Sequence, residues 1–350
     1  MFGLFLRRSR VYDVAVILFM GILALLNTKA ADLQTVYLPI YSNPDFYAST
    51  IDPGWIYLCK FGGLLGLSYN GFACLIAIIS TSLFVYFGRK ACPNESFFLA
   101  LFLVYPGLMS LVQFRQFAAS ALTLIAVLEL SKGGIRGWIS FVITILLAFS
   151  IHRSALIVGA VGLMPLFKKF GQRGKYIAFG IAFIILAYVT LHAVSLSNFF
   201  FGDYKTSVYL GETSVDNREN SFLGGLRNVA YTVGLCLFIP YCCKLINSDG
   251  LMGSRRLLDS ISFANIMMVA ILPFLFVTND FMRFERYAFS LALAVFSCMP
   301  YLRHRHVLLS CKAFLLLICV LFCYSFVIKG TFDSVIGALL SFEYVPRFFA

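Results

Sequence analysis

The sequence predicts an all-α, polytopic integral membrane protein with about eleven transmembrane helices. Three observations carry that prediction. The first is composition: 60% of residues are hydrophobic and only 13% are charged, with a mean hydropathy of +0.87. A soluble domain carries about 25% charged and 45–50% apolar residues, so both values move in the direction that lipid exposure requires. The second is that apolar runs of about 20 residues recur along the whole chain. Segments of alternating polarity, which a β-barrel needs, are not seen. The third is that most cations fall in short loops between those runs, as topology signals do. No internal repeat or low-complexity stretch divides the chain, which reads as one domain over residues 1–350.

The net charge of +12 does not imply nucleic acid as a partner. A nucleic-acid platform clusters its cations on one soluble face, whereas loop cations between spans serve topology and contacts with membrane lipids. The ten cysteines contain no C-x-x-C pair. Cys59, Cys74, Cys236, Cys298, Cys319 and Cys323 lie inside apolar runs, where cysteine acts as a small hydrophobe. Neither a disulfide framework nor a zinc site is expected. The first apolar stretch, Val14–Leu26, follows Arg7-Arg8-Ser9-Arg10 with no small-x-small cleavage site after it, and reads as an uncleaved span.

Placing the short basic loops on the cytoplasmic side gives a consistent path. They are Arg7/Arg8/Arg10, Arg89/Lys90, Lys132/Arg136, Lys168/Lys169/Arg173/Lys175, Lys244/Arg255/Arg256, and Arg303/Arg305 with Lys312. The N-terminus is then inside and the C-terminus outside. After the first span, an outer loop at about residues 29–54 leads to a short, partly polar helix near Trp55–Leu67 and a full span at Tyr69–Gly88. Ser96–Leu130 would be about 52 Å long as one straight helix, and Gly137–Phe167 about 46 Å. The hydrocarbon core is only roughly 30 Å thick. Both runs are bounded by inside-type cations, so each crosses an even number of times and is predicted to be a hairpin. Gln113, Arg115 and Gln116 mark the outward turn of the first, and His152 and Arg153 that of the second.

Beyond the hairpins, Tyr176–Val194 exits, an outer polar segment spans about 195–228, and Val229–Ile246 returns. Ser260–Thr278 exits, Asn279–Arg286 forms an outer turn, Tyr287–Leu302 returns and Val307–Ile328 exits. An outer tail covers about 330–350, with Phe332–Phe342 as an amphipathic interfacial helix.

On this path Arg115, His152/Arg153 and Arg283/Arg286 all reach the outer ends of helices. Ionisable groups at membrane depth cost about 2.5–3.5 kcal/mol each on insertion scales, so they usually face a polar cavity and a partner. Cations offered from three separate turns toward one side read as an anion site. Each has a blander alternative. Arg115 alone is equally compatible with snorkelling to headgroups. Arg283 and Arg286, on one helix face, have Asp280 and Glu285 as competing ion-pair partners. His192, His304 and His306 read as structural or loop histidines, and Asp203–Glu219 as a solvated loop. No metal-ligand spacing appears, and no cofactor motif. Phosphate chemistry here would rest on arginine, whose guanidinium binds phosphate oxygens bidentately and stays charged.

Four segments carry a resemblance. FRQFAASALTLIAVLEL (Phe114–Leu130) resembles the R-Q-x-x-A helix of the EpsG-like, Wzy-type polysaccharide polymerases. LAFSIHRSALIV (Leu147–Val158) resembles their H-x-S-A segment. DPGWIYLCKFG (Asp52–Gly62) is similar to their acid-x-Gly-aromatic segment, with Asp where Glu is commoner. RFERYAF (Arg283–Phe289) is similar to their late R-x-x-x-Y segment. Order and spacing agree over about Asp52–Phe289.

The resemblance implies a GT-C-like glycosyltransferase in a bacterial inner membrane, with its active site facing the periplasm. It would polymerise O-antigen or exopolysaccharide without a cofactor or metal, moving an undecaprenyl-pyrophosphate-linked glycan onto the terminal hydroxyl of a lipid-linked repeat. Undecaprenyl-pyrophosphate-linked oligosaccharides would be its substrates, and a chain-length regulator and a flippase its protein partners. It implies His152 and Arg115 as catalytic residues and Arg115, Arg153, Arg283 and Arg286 as pyrophosphate ligands. Asp52, Trp55, Tyr57 and Tyr287 would face the sugars, as would Tyr41 and Tyr47, although an interfacial aromatic belt explains the aromatic residues equally.

Three other classes compete. A lipid-linked oligosaccharide flippase would show two similar halves and deep central cations. A membrane O-acyltransferase needs a catalytic histidine, which His152 permits. A ligase would share nearly every feature of a polymerase.

Overall fold

The structure, a computed structural model, describes residues 8–27, 32–165, 222–276 and 282–303, together with Ile181, Ile184 and Tyr188. Every regular element among them is helical. Helix α1 (Arg10–Leu26) starts at Ser9, whose hydroxyl accepts from the Tyr12 N–H, the usual use of serine at an N-cap. Asp13, Val16, Met20, Leu23 and Ala24 form its buried stripe, while Val11, Val14, Leu18, Phe19 and Ile22 are all exposed. A soluble helix turns polar residues outward. Here the outward face is apolar, which suits lipid.

A wide turn at Leu33–Tyr37 leads into α2 (Leu38–Ser42). The expected open loop at 29–54 is therefore corrected in part: Leu33, Tyr37 and Ile40 are buried, because these apolar side chains fold back onto the core. Helix α3 (Pro53–Leu64) opens with Asp52 in an extended conformation and Pro53 in the first turn, where its missing N–H is no loss. Helix α4 (Tyr69–Ala91) is capped by Ser68 and ends in Arg89 and Lys90. Helix α5 (Glu95–Phe102) is capped by Asn94. The chain then breaks at Tyr105 (φ −167°, ψ 132°), the residue before Pro106, as the steric clash with a following proline favours.

Helix α6 (Phe114–Lys132) and helix α7 (Gly134–Ile151) form an antiparallel pair. Their turn needs positive φ at Gly133 (+76°) and Gly134 (+70°), a region glycine enters without steric cost. After His152 the chain continues in short helical turns, Arg153–Ala155, Leu156–Gly159 and Ala160–Leu163. Helix α8 (Phe222–Ser248), helix α9 (Arg255–Met267), a 3-10 stretch at Met268–Phe276, helix α10 (Met282–Cys298) and a 3-10 turn at Met299–Tyr301 follow. Several boundaries differ from expectation: α9 begins at Arg255 rather than Ser260 and gives way to 3-10 turns after Met267. α8 begins at Phe222 rather than Val229, and Arg283 and Arg286 lie inside the start of α10 rather than in a turn. Helix hydrogen bonding extends through these residues because no proline or glycine interrupts 282–298.

Among the described residues, four helices are long and apolar enough to cross a membrane: α4, α6, α7 and the Asn228–Ser248 part of α8. α6 is the central one, with 83% of its apolar window buried against 28% for α7. α7 instead exposes Ile135, Trp138, Ile139, Ile143, Leu146 and Leu147. Both long runs break where polar residues interrupt them, at Gln113 (φ −122°, ψ 65°) and at His152 (φ −152°, ψ 113°). The expected segments at Tyr176–Val194 (three isolated positions apart), 195–221 and 304–350 lie outside the described residues.

The helices sort the charges to two ends. At one end Arg89 pairs with Asp13 (Nε–Oδ2 2.8 Å) and Glu95 (3.6 Å), and Arg8 donates to the Cys92 carbonyl (3.3 Å). Asn94 donates to the Tyr301 hydroxyl (3.0 Å), the Arg303 N–H to Asp249 (3.1 Å), and Arg256 to the Lys132 carbonyl (3.3 Å). This chain of contacts gathers the described basic loops on one face. At the other end Asn27 donates to the Leu111 carbonyl (3.0 Å) and Asn70 to the Leu25 carbonyl (2.7 Å). The breaks at Gln113 and His152 lie at that second end.

Candidate functional site

The start of α6, the end of α7, the N-cap of α3 and the start of α10 converge at the end opposite the basic loops. Asp52 joins the first three. Its Oδ2 accepts from Arg115 Nη1 (3.2 Å) and its Oδ1 forms an ion pair with Arg153 Nε (2.9 Å). One carboxylate thus holds two guanidiniums, one oxygen each. Asp52 and Arg115 are buried and the Arg153 side chain is about one-third exposed (34%).

The approach that allows this depends on a glycine. A Cβ at Gly54 would lie 2.3 Å from Ser150 Oγ and 2.8 Å from the Ser150 carbonyl carbon and oxygen. α3 therefore crosses α7 almost backbone to backbone, and that crossing sets Asp52 beside Arg153.

Arg286, buried at the start of α10, donates to Gln113 Oε1 and to Gln116 Oε1 (3.2 Å). Gln116 in turn donates through Nε2 to the Arg283 carbonyl. Two neutral amides thus tie the broken end of α6 to α10 without cancelling the charge on Arg286. The expected competition from Glu285 is resolved differently. That carboxyl is buried on another face of α10 and accepts from Thr232 of α8. Asp280 lies outside the described residues.

Two buried tyrosines sit beside these arginines: Tyr37 near Arg115 and Arg283, and Tyr105 near Arg286. Arg115 Nε is buried with no hydrogen-bond partner among the described residues. An unmet donor on a buried charged group is costly, and an incoming anion would supply its acceptor.

His152 caps the short 3-10 turn Arg153–Ala155, with its Nδ1 accepting from the Ser154 N–H (3.3 Å). Ser154 Oγ lies 2.6 Å from the same nitrogen and 3.0 Å from the Tyr287 hydroxyl. Ser154 and Tyr287 are both buried. A polar chain therefore runs from α10 to the imidazole.

The structure brings Asp52, Arg115, His152, Arg153, Arg283, Arg286 and Tyr287 to one place, and it treats the remaining aromatics differently. Trp55 is only 1% exposed, edge-on to Tyr37 (6.0 Å) and Phe72 (5.5 Å). This corrects its reading as a sugar platform: its ring is packed into the core and anchors α3. Tyr57 is 72% exposed on the outer face of α3 and is not drawn into the cluster. Tyr41 packs on Phe72 (5.0 Å) and donates to the Leu67 carbonyl (2.7 Å). Sequence reasoning assigned no role to Ser154, Tyr37 or Tyr105, and noted Gln113 as a turn residue and Gln116 as a turn residue within the R-Q-x-x-A motif. Ser154 had a signal, being a hydroxyl two residues past a histidine at a helix break. Among the described residues no three His, Cys, Asp or Glu side chains are grouped to hold a metal ion. The seven described cysteines are all buried.

A bundle with apolar outward faces and a guanidinium cluster at one end is the architecture of a helical membrane protein. The chain belongs to the EpsG family, whose sequence model matches residues 10–346, and with it to the membrane proteins of polysaccharide biosynthesis. No curated protein matches the chain significantly, and neither does any solved structure.

Proposed function

We propose that this protein is a lipid-linked repeat-unit polymerase of the bacterial inner membrane, GT-C-like, with about eleven spans and its site facing the periplasm. The observation that carries the proposal is the gathering of Arg115, Arg153, Arg283 and Arg286 at the end opposite the basic loops. Short basic loops mark the cytoplasmic side, so the guanidinium cluster belongs outside, where flipped lipid-linked repeats are found.

The donor is an undecaprenyl-pyrophosphate-linked glycan, and the acceptor is the terminal hydroxyl of a lipid-linked repeat. The acceptor oxygen bonds to the anomeric carbon of the donor. The bond from that carbon to the diphosphate oxygen breaks, and its electron pair leaves with undecaprenyl pyrophosphate. Arg115, Arg153, Arg283 and Arg286 hold the diphosphate and stabilise the charge that grows on it. Asp52 keeps Arg115 and Arg153 apart and aligned before the anion arrives. His152 contacts the reacting groups from the α7 side, held through Ser154 to Tyr287 of α10. A chain-length regulator and a flippase act beside the enzyme.

The test is repeat-length analysis in cells lacking the native gene. Arg115→Ala, present in the membrane at normal level, is expected to yield glycan bearing a single repeat. Arg115→Lys is also expected to shorten chains sharply, because an ammonium cannot reproduce the guanidinium fork. Normal long ladders from Arg115→Ala would overturn the proposal.

A further inference from the structure

Resting on that reading, the geometry points to His152 acting as a hydrogen-bond donor through Nε2, its tautomer fixed by Ser154 and Tyr287, and not as the base that deprotonates the acceptor. The argument follows the protons. A backbone N–H only donates, so Nδ1, which accepts from the Ser154 N–H at 3.3 Å, carries no proton. The Ser154 hydroxyl, 2.6 Å from the same nitrogen, must then be the donor of that pair. With its hydrogen committed to His152, Ser154 Oγ accepts at 3.0 Å from the Tyr287 hydroxyl. Every proton in the chain is thereby placed: Tyr287 to Ser154, Ser154 to Nδ1. A neutral imidazole has one N–H and one bare nitrogen, so the hydrogen of His152 sits on Nε2.

This has a chemical consequence. A histidine that accepts a proton at Nε2 must already hold one at Nδ1, as when a carboxylate or carbonyl accepts from that nitrogen. Here two donors converge on Nδ1, and protonating it would oppose both. The Nε2–H is suited instead to an oxygen that gains negative charge, as on a departing diphosphate. In this scheme the acceptor's proton passes to the departing diphosphate, whose freed oxygen holds the electron pair of the broken bond. Ser154 and Tyr287 are positioning residues, acting through His152.

Two measurements test it. The first needs no turnover: 15N spectra of histidine-labelled protein in lipid nanodiscs, with the His152 signals assigned by their loss in His152→Gln. The expected result at neutral pH is a bare Nδ1 and a protonated Nε2, with the preference blurred in Ser154→Ala. A proton on Nδ1 would overturn the inference.

The second is elongation rate in proteoliposomes supplied with lipid-linked repeats. Glutamine places an N–H near the position of Nε2 but takes no proton, so His152→Gln is expected to keep at least a tenth of the rate while His152→Ala keeps far less. Equal loss in both variants, together with a wild-type rate that rises as imidazole deprotonates, would overturn the donor role. An active Arg115→Ala would instead overturn the polymerase reading and leave the tautomer result standing.

Discussion

Gly54→Ala removes no polar group and should still disable the protein. The added methyl would stand 2.3 Å from Ser150 Oγ and 2.8 Å from the Ser150 carbonyl carbon and oxygen. Comfortable carbon contacts are about 3.5–4.0 Å. The hydroxyl can rotate away, but the backbone atoms cannot, so α3 must move from α7 by about 1 Å. The Asp52–Arg153 contact, 2.9 Å in the native protein, would stretch to about 4 Å, beyond hydrogen-bonding range. Overpacking of this kind costs about 1–3 kcal/mol in stability, and a 1 Å misplacement at a reacting site can cost about 10²-fold in rate. The assay is elongation rate in proteoliposomes beside thermal unfolding in detergent. Gly63→Ala serves as control, since a Cβ there meets nothing within 4 Å on the same helix. A Gly54→Ala rate equal to that of Gly63→Ala would refute the argument that this crossing sets the site.

Asp52→Asn leaves the Arg115 and Arg153 guanidiniums without their shared charge and should lower stability by about 3–5 kcal/mol, read as a drop in unfolding temperature. Adding Arg153→Gln should return part of that loss, and additivity of the two would argue against a shared ion pair. Gln113→Leu combined with Gln116→Leu strips the amide oxygens from Arg286 and should slow elongation. Each lost bond to a charged group is worth about 1.5–3 kcal/mol, and an unchanged rate would remove Arg286 from the site. In a cysteine-free background, Asp45→Cys should react with an impermeant thiol reagent in intact cells, while Lys132→Cys should react only after lysis; the reverse pattern would invert the proposed orientation.

The helical class, the lipid-facing character and the two chain breaks were legible because each rests on local chemistry. A long apolar run cannot continue as one span past Gln113-Phe114-Arg115-Gln116 or His152-Arg153, and the helices do break there. The basic loops were legible for the same reason, and those described gather at one end. The start of α8 was placed too late because Phe222–Arg227 carries two glycines and an arginine that look like loop, although the helix runs through them. Trp55 was misread because an aromatic residue near a membrane surface looks the same in sequence whether it faces sugar, headgroup or core.

Sequence alone determined which residue types stand at which breaks, since insertion into lipid tolerates a buried arginine only where function or a partner keeps it. Partners were a different matter. That Asp52 would hold Arg115 across 63 positions, that Arg286 would take amides while Glu285 turned to Thr232, and that Ser154 would link His152 to Tyr287 were decided only when helices distant in the chain packed together. A hydrogen bond is won or lost over about half an ångström. No one-dimensional pattern encodes distances that fine; the close crossing at Gly54 and the arrangement of α6, α7 and α10 around the site set them.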